Sequence, residues 1–345
     1  MATSDFGRLM GLSGEIRIDF IDSPALRGNA LGDPSTRPLA LYTPPGFDPE
    51  GSRRYPVLYV LHGYTGDVAS LLASGPWATN VVQWADRLIV ENAMPPVMLA
   101  IVDGNTRLGG SQYVDSIHNG DYATYTVRDV VAHVDAAYPS IPHEGGRAVL
   151  GKSSGGFGAL YLTMTHPGVF GAFASHSGDA DFRSAYIGDF KIAQRTLEAY
   201  DFDIGAFVRA FEAKQKRSSA DMTAINLVGQ GAAYSPRAAA AFAIDLPFDA
   251  HTGEFRPDVF ARWLAFDPVE MCLSKGPELA RLRLRYLDCG RRDEYGLDLG
   301  ARAFARRVRD LGLVVRHEEF DDDHRGIGYR YAVSLPALAN VLESA

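Results

Sequence analysis

A chain of 345 residues, 46% hydrophobic and 22% charged, can bury the core of one large domain or two smaller ones. Its formal charge of -8, from 34 Lys+Arg against 42 Asp+Glu, comes without a basic cluster interleaved with aromatics, so neither nucleic acid nor a membrane is the expected partner. Two cysteines, Cys272 and Cys289, are too few for a disulfide framework or a Cys-rich metal site and read as buried small hydrophobes.

The opening MATSDFGRLMGLSGEIRIDF has no basic segment leading into an unbroken apolar run, and no later window reaches bilayer-spanning length, so the reading is cytoplasmic. Strands are expected at 15–21, 37–43, 56–62, 96–103, 147–151, 171–178, 283–290 and 313–320. Gly, Pro, Asp and Ser separate the first two, which points to an antiparallel start. The later strands alternate with helical patterns such as YTVRDVVAHVDAAY, where Val127, Val130, Val131 and Val134 share a face. That alternation means α/β architecture, a mostly parallel sheet covered on both sides. Between 181 and 265 the rhythm breaks into helical segments, IGAFVRAFEAKQK and RAAAAFAI, then the Pro/Gly-rich LPFDAHTGEFRPD. This interval reads as a cap inserted into a single domain spanning 1–345.

The stretch GRAVLGKSSGG, residues 146–156, fits two motifs. As G-x-x-x-x-G-K-[ST] it would cradle phosphate, but that loop needs a strand before its first glycine. Here a proline-broken YPSIPHEG precedes Gly146, and the four variable residues are themselves an apolar strand. As G-x-S-x-G it is a nucleophile elbow: strand RAVL, turn GKSSG, helix GFGALYLTMTHP, in the required order. Ser153 is then the nucleophile, and Lys152 only the variable position.

Serine needs a base in reach and a group to orient it, and in an elbow protein these follow in the order acid, then histidine. Beyond strand 283–290 only His317 and His324 remain, and His317 lies inside a strand, which leaves His324 in FDDDHRGIGY. The loop CGRRDEYGL offers Asp293 and Glu294, with Asp288 still within the strand. Asp293 is preferred, as it follows the strand end closely enough to reach the imidazole from outside the substrate path. Asp321, Asp322 and Asp323 read as a solvated turn. The oxyanion needs donors. These are expected from the backbone of Ser154 and, in the loop His62-Gly63-Tyr64-Thr65-Gly66, of Tyr64 or Gly63. His176, in ASHSGD, either lines the pocket or satisfies buried carbonyls, and Asp115, Ser116 and Asp121 sit on a loop that could reach the site.

LHGYTGD, QYVDSIHNGDYATYTVRDVVAHVDAAYP, GKSSGGFGALYLTMTHPGVFGAFASHSG and the late Asp293 and His324 resemble the esterase family of α/β-hydrolases that includes esterase D (S-formylglutathione hydrolase), feruloyl esterases, enterochelin-esterase-like proteins and mycolyltransferases. The resemblance implies an α/β-hydrolase fold, a triad of Ser153, Asp293 and His324, and an oxyanion hole at Tyr64 and Ser154. It departs where the family often has methionine after the serine, here Ser154, and where some members carry tryptophan soon after the histidine, here Arg325-Gly326-Ile327.

The expected function is a serine carboxylesterase acting on a small-molecule ester, with Gly63, Asp115 and His176 as substrate contacts and no metal or cofactor. An acyltransferase using the same acyl-enzyme and a non-catalytic binding protein on a hydrolase scaffold are the rivals. The acyl group, the alcohol and any homo-oligomer stay open.

Overall fold

Val57–Leu61 and Met98–Val102 are five-residue apolar runs buried at every position. Runs without alternation belong to strands covered on both faces, and these two pair in parallel, Val57 opposite Met98, at the middle of an eight-stranded sheet. The computed structural model describes residue 7 and residues 10–343; of the opening stretch read above, residues 1–6, 8 and 9 lie outside the described residues.

The strands are β1 (Glu15–Asp22), β2 (Thr36–Thr43), β3 (Val57–Leu61), β4 (Met98–Val102), β5 (Arg147–Lys152), β6 (Ala172–His176), β7 (Leu284–Gly290) and β8 (Arg316–Phe320). Their order across the sheet is β1-β2-β4-β3-β5-β6-β7-β8. β1 and β2 are antiparallel to each other, and β2 is antiparallel to β4; the other pairings are parallel. The antiparallel opening followed by parallel strands is what the sequence pattern indicated.

Alternate side chains of β3 enter different layers. Leu58 and Val60 pack with α1 (Val81–Val90) and α4 (Tyr331–Ala339), while Tyr59 and Leu61 pack with α2 (Val131–Ala137) and α3 (Ser154–Thr165). α1 starts where it does because Asn80 and Gln83 form reciprocal capping bonds.

Residues 182–264 build a separate apolar cluster from Phe182, Phe190, Phe207, Val228, Tyr234, Phe260 and Trp263, which reaches the main body through Phe157 of the elbow helix and through Leu108 and Val114. Its longest helix, α5 (Ser219–Tyr234), lies against loops that follow the C-terminal ends of β3 and β4. A Cβ on Gly229 would sit 3.1 Å from the Leu108 carbonyl and 3.6 Å from the Tyr64 ring, and Ser116 donates to the Ala232 carbonyl at 2.6 Å.

Within this region the sequence reading needs one correction. RAAAAFAI is not a helix: Pro236 pairs with Ile244 in an isolated bridge, Arg237 N–H donates to Ala243 O, and Phe242 has φ 62°. Burial of Ile244, Leu246 and Phe248 in the cluster outweighs alanine's helix propensity. Among the described residues no helix is long and apolar enough to cross a membrane.

Candidate active site

Strand β5 runs into Ser153, whose φ of 56° is a backbone conformation that L residues rarely hold. Sterics require the flanking glycines. A Cβ on Gly151 would lie 2.5 Å from the Gly155 carbonyl, and one on Gly155 would lie 2.2 Å from the Leu61 carbonyl. The turn is pinned by the Ser153 N–H donating to His176 O at 2.9 Å, and α3 leaves directly from it. Ser153 Oγ has no hydrogen-bond partner among the described residues.

The loop after β3 faces the elbow. A Cβ on Gly63 would be 3.4 Å from Ser153 Cβ and 3.2 Å from Lys152 O, so the loop and the elbow lie in close contact. His62 fixes the peptide that follows. Its Nε2 accepts from Gly104 N–H at 2.8 Å, which puts the proton on Nδ1, and Nδ1–H donates to Gly63 O at 2.8 Å. Gly66 N–H donates to the same carbonyl at 3.0 Å. In a trans peptide the next N–H points the opposite way, so Tyr64 N–H is turned from these partners and bonds to nothing among the described residues. The loop is held further by Tyr64 Oη–H donating to Leu108 O (2.6 Å), Thr65 N–H to Gly109 O (2.7 Å) and Tyr113 Oη–H to His62 O (2.9 Å). Ser154, first residue of α3, has no intrahelical acceptor for its N–H. Two free backbone donors therefore stand beside the serine.

On the far loops, His324 Nδ1–H donates to Asp293 Oδ2 at 2.7 Å. Tyr295 N–H holds the other oxygen, Oδ1, at 3.0 Å, and the Tyr295 ring meets the imidazole edge-on with centroids 4.9 Å apart. Glu294, the other acid weighed from the sequence, does a different job: its Oε2 accepts the His324 backbone N–H at 3.0 Å. Burial pushes the Asp293 carboxyl up, but the His324 hydrogen bond and charge and the N–H groups of Tyr295 and Leu297 outweigh it and hold it below the usual carboxylate range. His324 Nε2 is unengaged. The structure shows no hydrogen bond between it and Ser153 Oγ; such bonds often tighten only when substrate is present.

Lys152 lies between the elbow and these loops. Burial lowers its ammonium, against the attraction of Asp293, Glu294 and Asp323. Asp179, in the loop after β6, was not singled out from the sequence, although SGD directly after a buried strand was a signal. Its Oδ2 accepts from the Tyr186 hydroxyl at 3.0 Å. Burial raises its carboxyl to about 6, opposed by that bond and by His324.

The side chains of two other candidates are already engaged. Asp115 spends both oxygens on Thr124, from N–H at 2.8 Å and Oγ1 at 2.6 Å, and so braces its own loop. His176 is enclosed, with Nδ1 on Asp288 Oδ1 at 2.7 Å and Nε2 on Ser334 Oγ at 2.9 Å, so neither ring nitrogen is open to a ligand and neither meets a carbonyl. Cys272 and Cys289 are free and buried, and no cluster of described residues has the His, Cys, Asp and Glu content of a metal site.

Parallel strands covered on both sides, with a strained serine between the central strand and its helix, define the α/β-hydrolase class. Solved structures agree on the fold. A ferulic acid esterase superposes with TM-score 0.63 at 17% identity over 96% of this chain and 100% of its own. An S-formylglutathione hydrolase from Agrobacterium tumefaciens gives 0.58 at 15% identity over 96% and 97%. An esterase of Mycobacterium tuberculosis is 30% identical over 134 residues, 38% of this chain, and the match takes in 27% of that longer protein. The family model described as Putative esterase matches residues 30–227, more than half of the chain, and the chain belongs to that family.

Proposed function

We propose that the chain is a serine carboxylesterase in which Ser153, His324 and Asp293 form the triad and the backbone N–H groups of Tyr64 and Ser154 the oxyanion hole. The observation that carries this reading is the 2.7 Å pairing of His324 Nδ1 with Asp293, which leaves Nε2 without a partner among the described residues, as Ser153 Oγ is.

Ser153 Oγ bonds to the ester carbonyl carbon while its proton passes to His324 Nε2. The carbonyl oxygen takes the negative charge and accepts from Tyr64 N–H and Ser154 N–H. Asp293 holds the imidazole in the Nδ1–H tautomer and balances the imidazolium that forms. When the carbon–oxygen bond to the alcohol breaks, Nε2–H protonates the departing oxygen, leaving an acyl-enzyme. Water then attacks the acyl carbon and gives a proton to Nε2; the bond to Oγ breaks, and Oγ recovers that proton. The sum is ester plus water to acid plus alcohol, with no metal or cofactor in any step. In this reading residues 181–265 act as a cap over the loops that carry the oxyanion hole, and the partner is a small-molecule ester.

The test is release of p-nitrophenol from acetate, butyrate and octanoate esters by the parent and by Ser153→Ala. Activity that survives the substitution would exclude Ser153 as the nucleophile. Adding an alcohol and analysing for a new ester separates hydrolysis from acyl transfer.

A further inference from the structure

Behind the site lies a second chain of serine, histidine and aspartate with the same atom-to-atom order: Ser334 Oγ on His176 Nε2 at 2.9 Å, and His176 Nδ1 on Asp288 Oδ1 at 2.7 Å. Ser334 is 0% exposed and His176 2%, so no substrate reaches it. Its connections differ from those of a catalytic set. Asp288 Oδ2 accepts from Arg330 Nε and from the Tyr286 hydroxyl, both at 2.8 Å. Arg330 Nη2 donates to the Tyr286 oxygen at 2.9 Å and to Glu318, and its guanidinium lies 4.7 Å from the centre of the Phe320 ring. The Tyr331 ring covers His176 edge-on at 5.1 Å. One buried cluster thus joins β6, β7, β8 and α4.

These are the segments that deliver the acid and the base. Asp288 lies near the C-terminal end of β7 and Asp293 in the loop that follows it, and His324 and Arg330 occupy the same connection between β8 and α4. The two segments therefore meet twice, at Asp293–His324 on the solvent side and at Asp288–Arg330 beneath. An arginine with three acceptors about its planar fork has little rotational freedom, so it transmits the position of β7 to the loop it ends.

We infer that Arg330 and Asp288 are positioning residues for the catalytic histidine: the buried cluster sets the separation of His324 from Asp293 and Ser153. This rests on the triad assigned above. Burial pushes the Asp288 carboxyl up, yet His176 and Arg330 hold it below the usual range, as expected of an acid kept ionised to grip a cation. Because a misplacement of about 1 Å can cost on the order of a hundredfold in rate, the cluster's effect falls on turnover more than on binding.

The experiment compares Arg330→Lys, Arg330→Gln and Ser334→Ala with the parent for kcat, KM and thermal midpoint, and repeats Arg330→Lys in an Asp293→Asn background. Arg330→Gln is expected to lower kcat about a hundredfold and Arg330→Lys about tenfold, with KM for a short-chain ester within about twofold, since lysine restores the charge but not the fork. In the Asp293→Asn background Arg330→Lys is expected to cost less than about twofold, because the geometry it maintains no longer serves catalysis. Arg330→Gln takes the arginine cation from buried Asp288, which keeps His176 and the Tyr286 hydroxyl, and is the variant most exposed to misfolding; Arg330→Lys keeps a cation there and carries the test alone if it does. The inference is overturned if folded Arg330→Lys keeps kcat within twofold of the parent, if its loss follows only the fraction unfolded, or if the loss is undiminished beside Asp293→Asn. Full activity in Ser153→Ala would instead overturn the triad.

Discussion

Replacing Gly155 by alanine puts a methyl group 2.2 Å from the Leu61 carbonyl oxygen, 2.7 Å from its carbon and 2.8 Å from the His62 carbonyl oxygen. Van der Waals contact needs about 1 Å more than the shortest of these. The obstacle is backbone of β3, which is paired on both sides, to β4 and to β5, so it has no direction in which to yield. A misfit that side chains can absorb costs about 1–3 kcal/mol. This one falls on a central strand and should cost about 4 kcal/mol or more, a large part of an ordinary domain's 5–15 kcal/mol. Displacement would also carry His62 and the Tyr64 N–H away from the serine, so the folded fraction should lose kcat. Urea unfolding and p-nitrophenyl acetate hydrolysis measure the two effects, with Gly188→Ala as control, since a Cβ there meets nothing within 4 Å. A Gly155→Ala protein within about 1 kcal/mol of the parent and equally active would refute this account of the elbow.

Asp293→Asn should lower kcat by about four orders of magnitude, because the amide favours the wrong imidazole tautomer, with the thermal midpoint changing far less; a loss under tenfold would point to another acid. His62→Ala should reduce kcat by roughly 10–100-fold by releasing the Gly63 carbonyl that aims the Tyr64 N–H, and unchanged steady-state kinetics would remove that peptide from the oxyanion hole. Asp179 has its folded-state pKa raised to about 6 by burial, so its effect on stability is unfavourable above that pH and disappears as pH falls toward 4. Asp179→Asn should therefore be about 3 kcal/mol more stable than the parent at pH 8 and nearly equal to it at pH 4 in urea titrations; an equal difference at both values would contradict the sign.

The sheet was legible because its strands are short, uninterrupted apolar runs separated by helical periodicity, a pattern set by burial on both faces. The elbow was legible because sterics confine it to glycine, serine and glycine at fixed spacing. RAAAAFAI was misread because alanine's propensity acts locally, whereas Pro236 and the burial of Ile244 act through neighbours the pattern does not show. His176 was chosen at a strand end and Asp115 on a loop, for their chemistry, but their side chains are taken up by Asp288, Ser334 and Thr124, which lie at least nine residues away in the chain. Arg330 carried no signal at all, since its meaning depends on three acceptors from β7 and β8.

The most direct test of the whole account is to treat the parent with a serine-reactive phosphonate and locate the adduct by peptide mass spectrometry, following ester hydrolysis in parallel. The account predicts one adduct, on Ser153, formed at the same rate as activity is lost, and neither adduct nor activity in Ser153→Ala. An adduct on another residue, or hydrolysis that continues after Ser153 is fully modified, would contradict it.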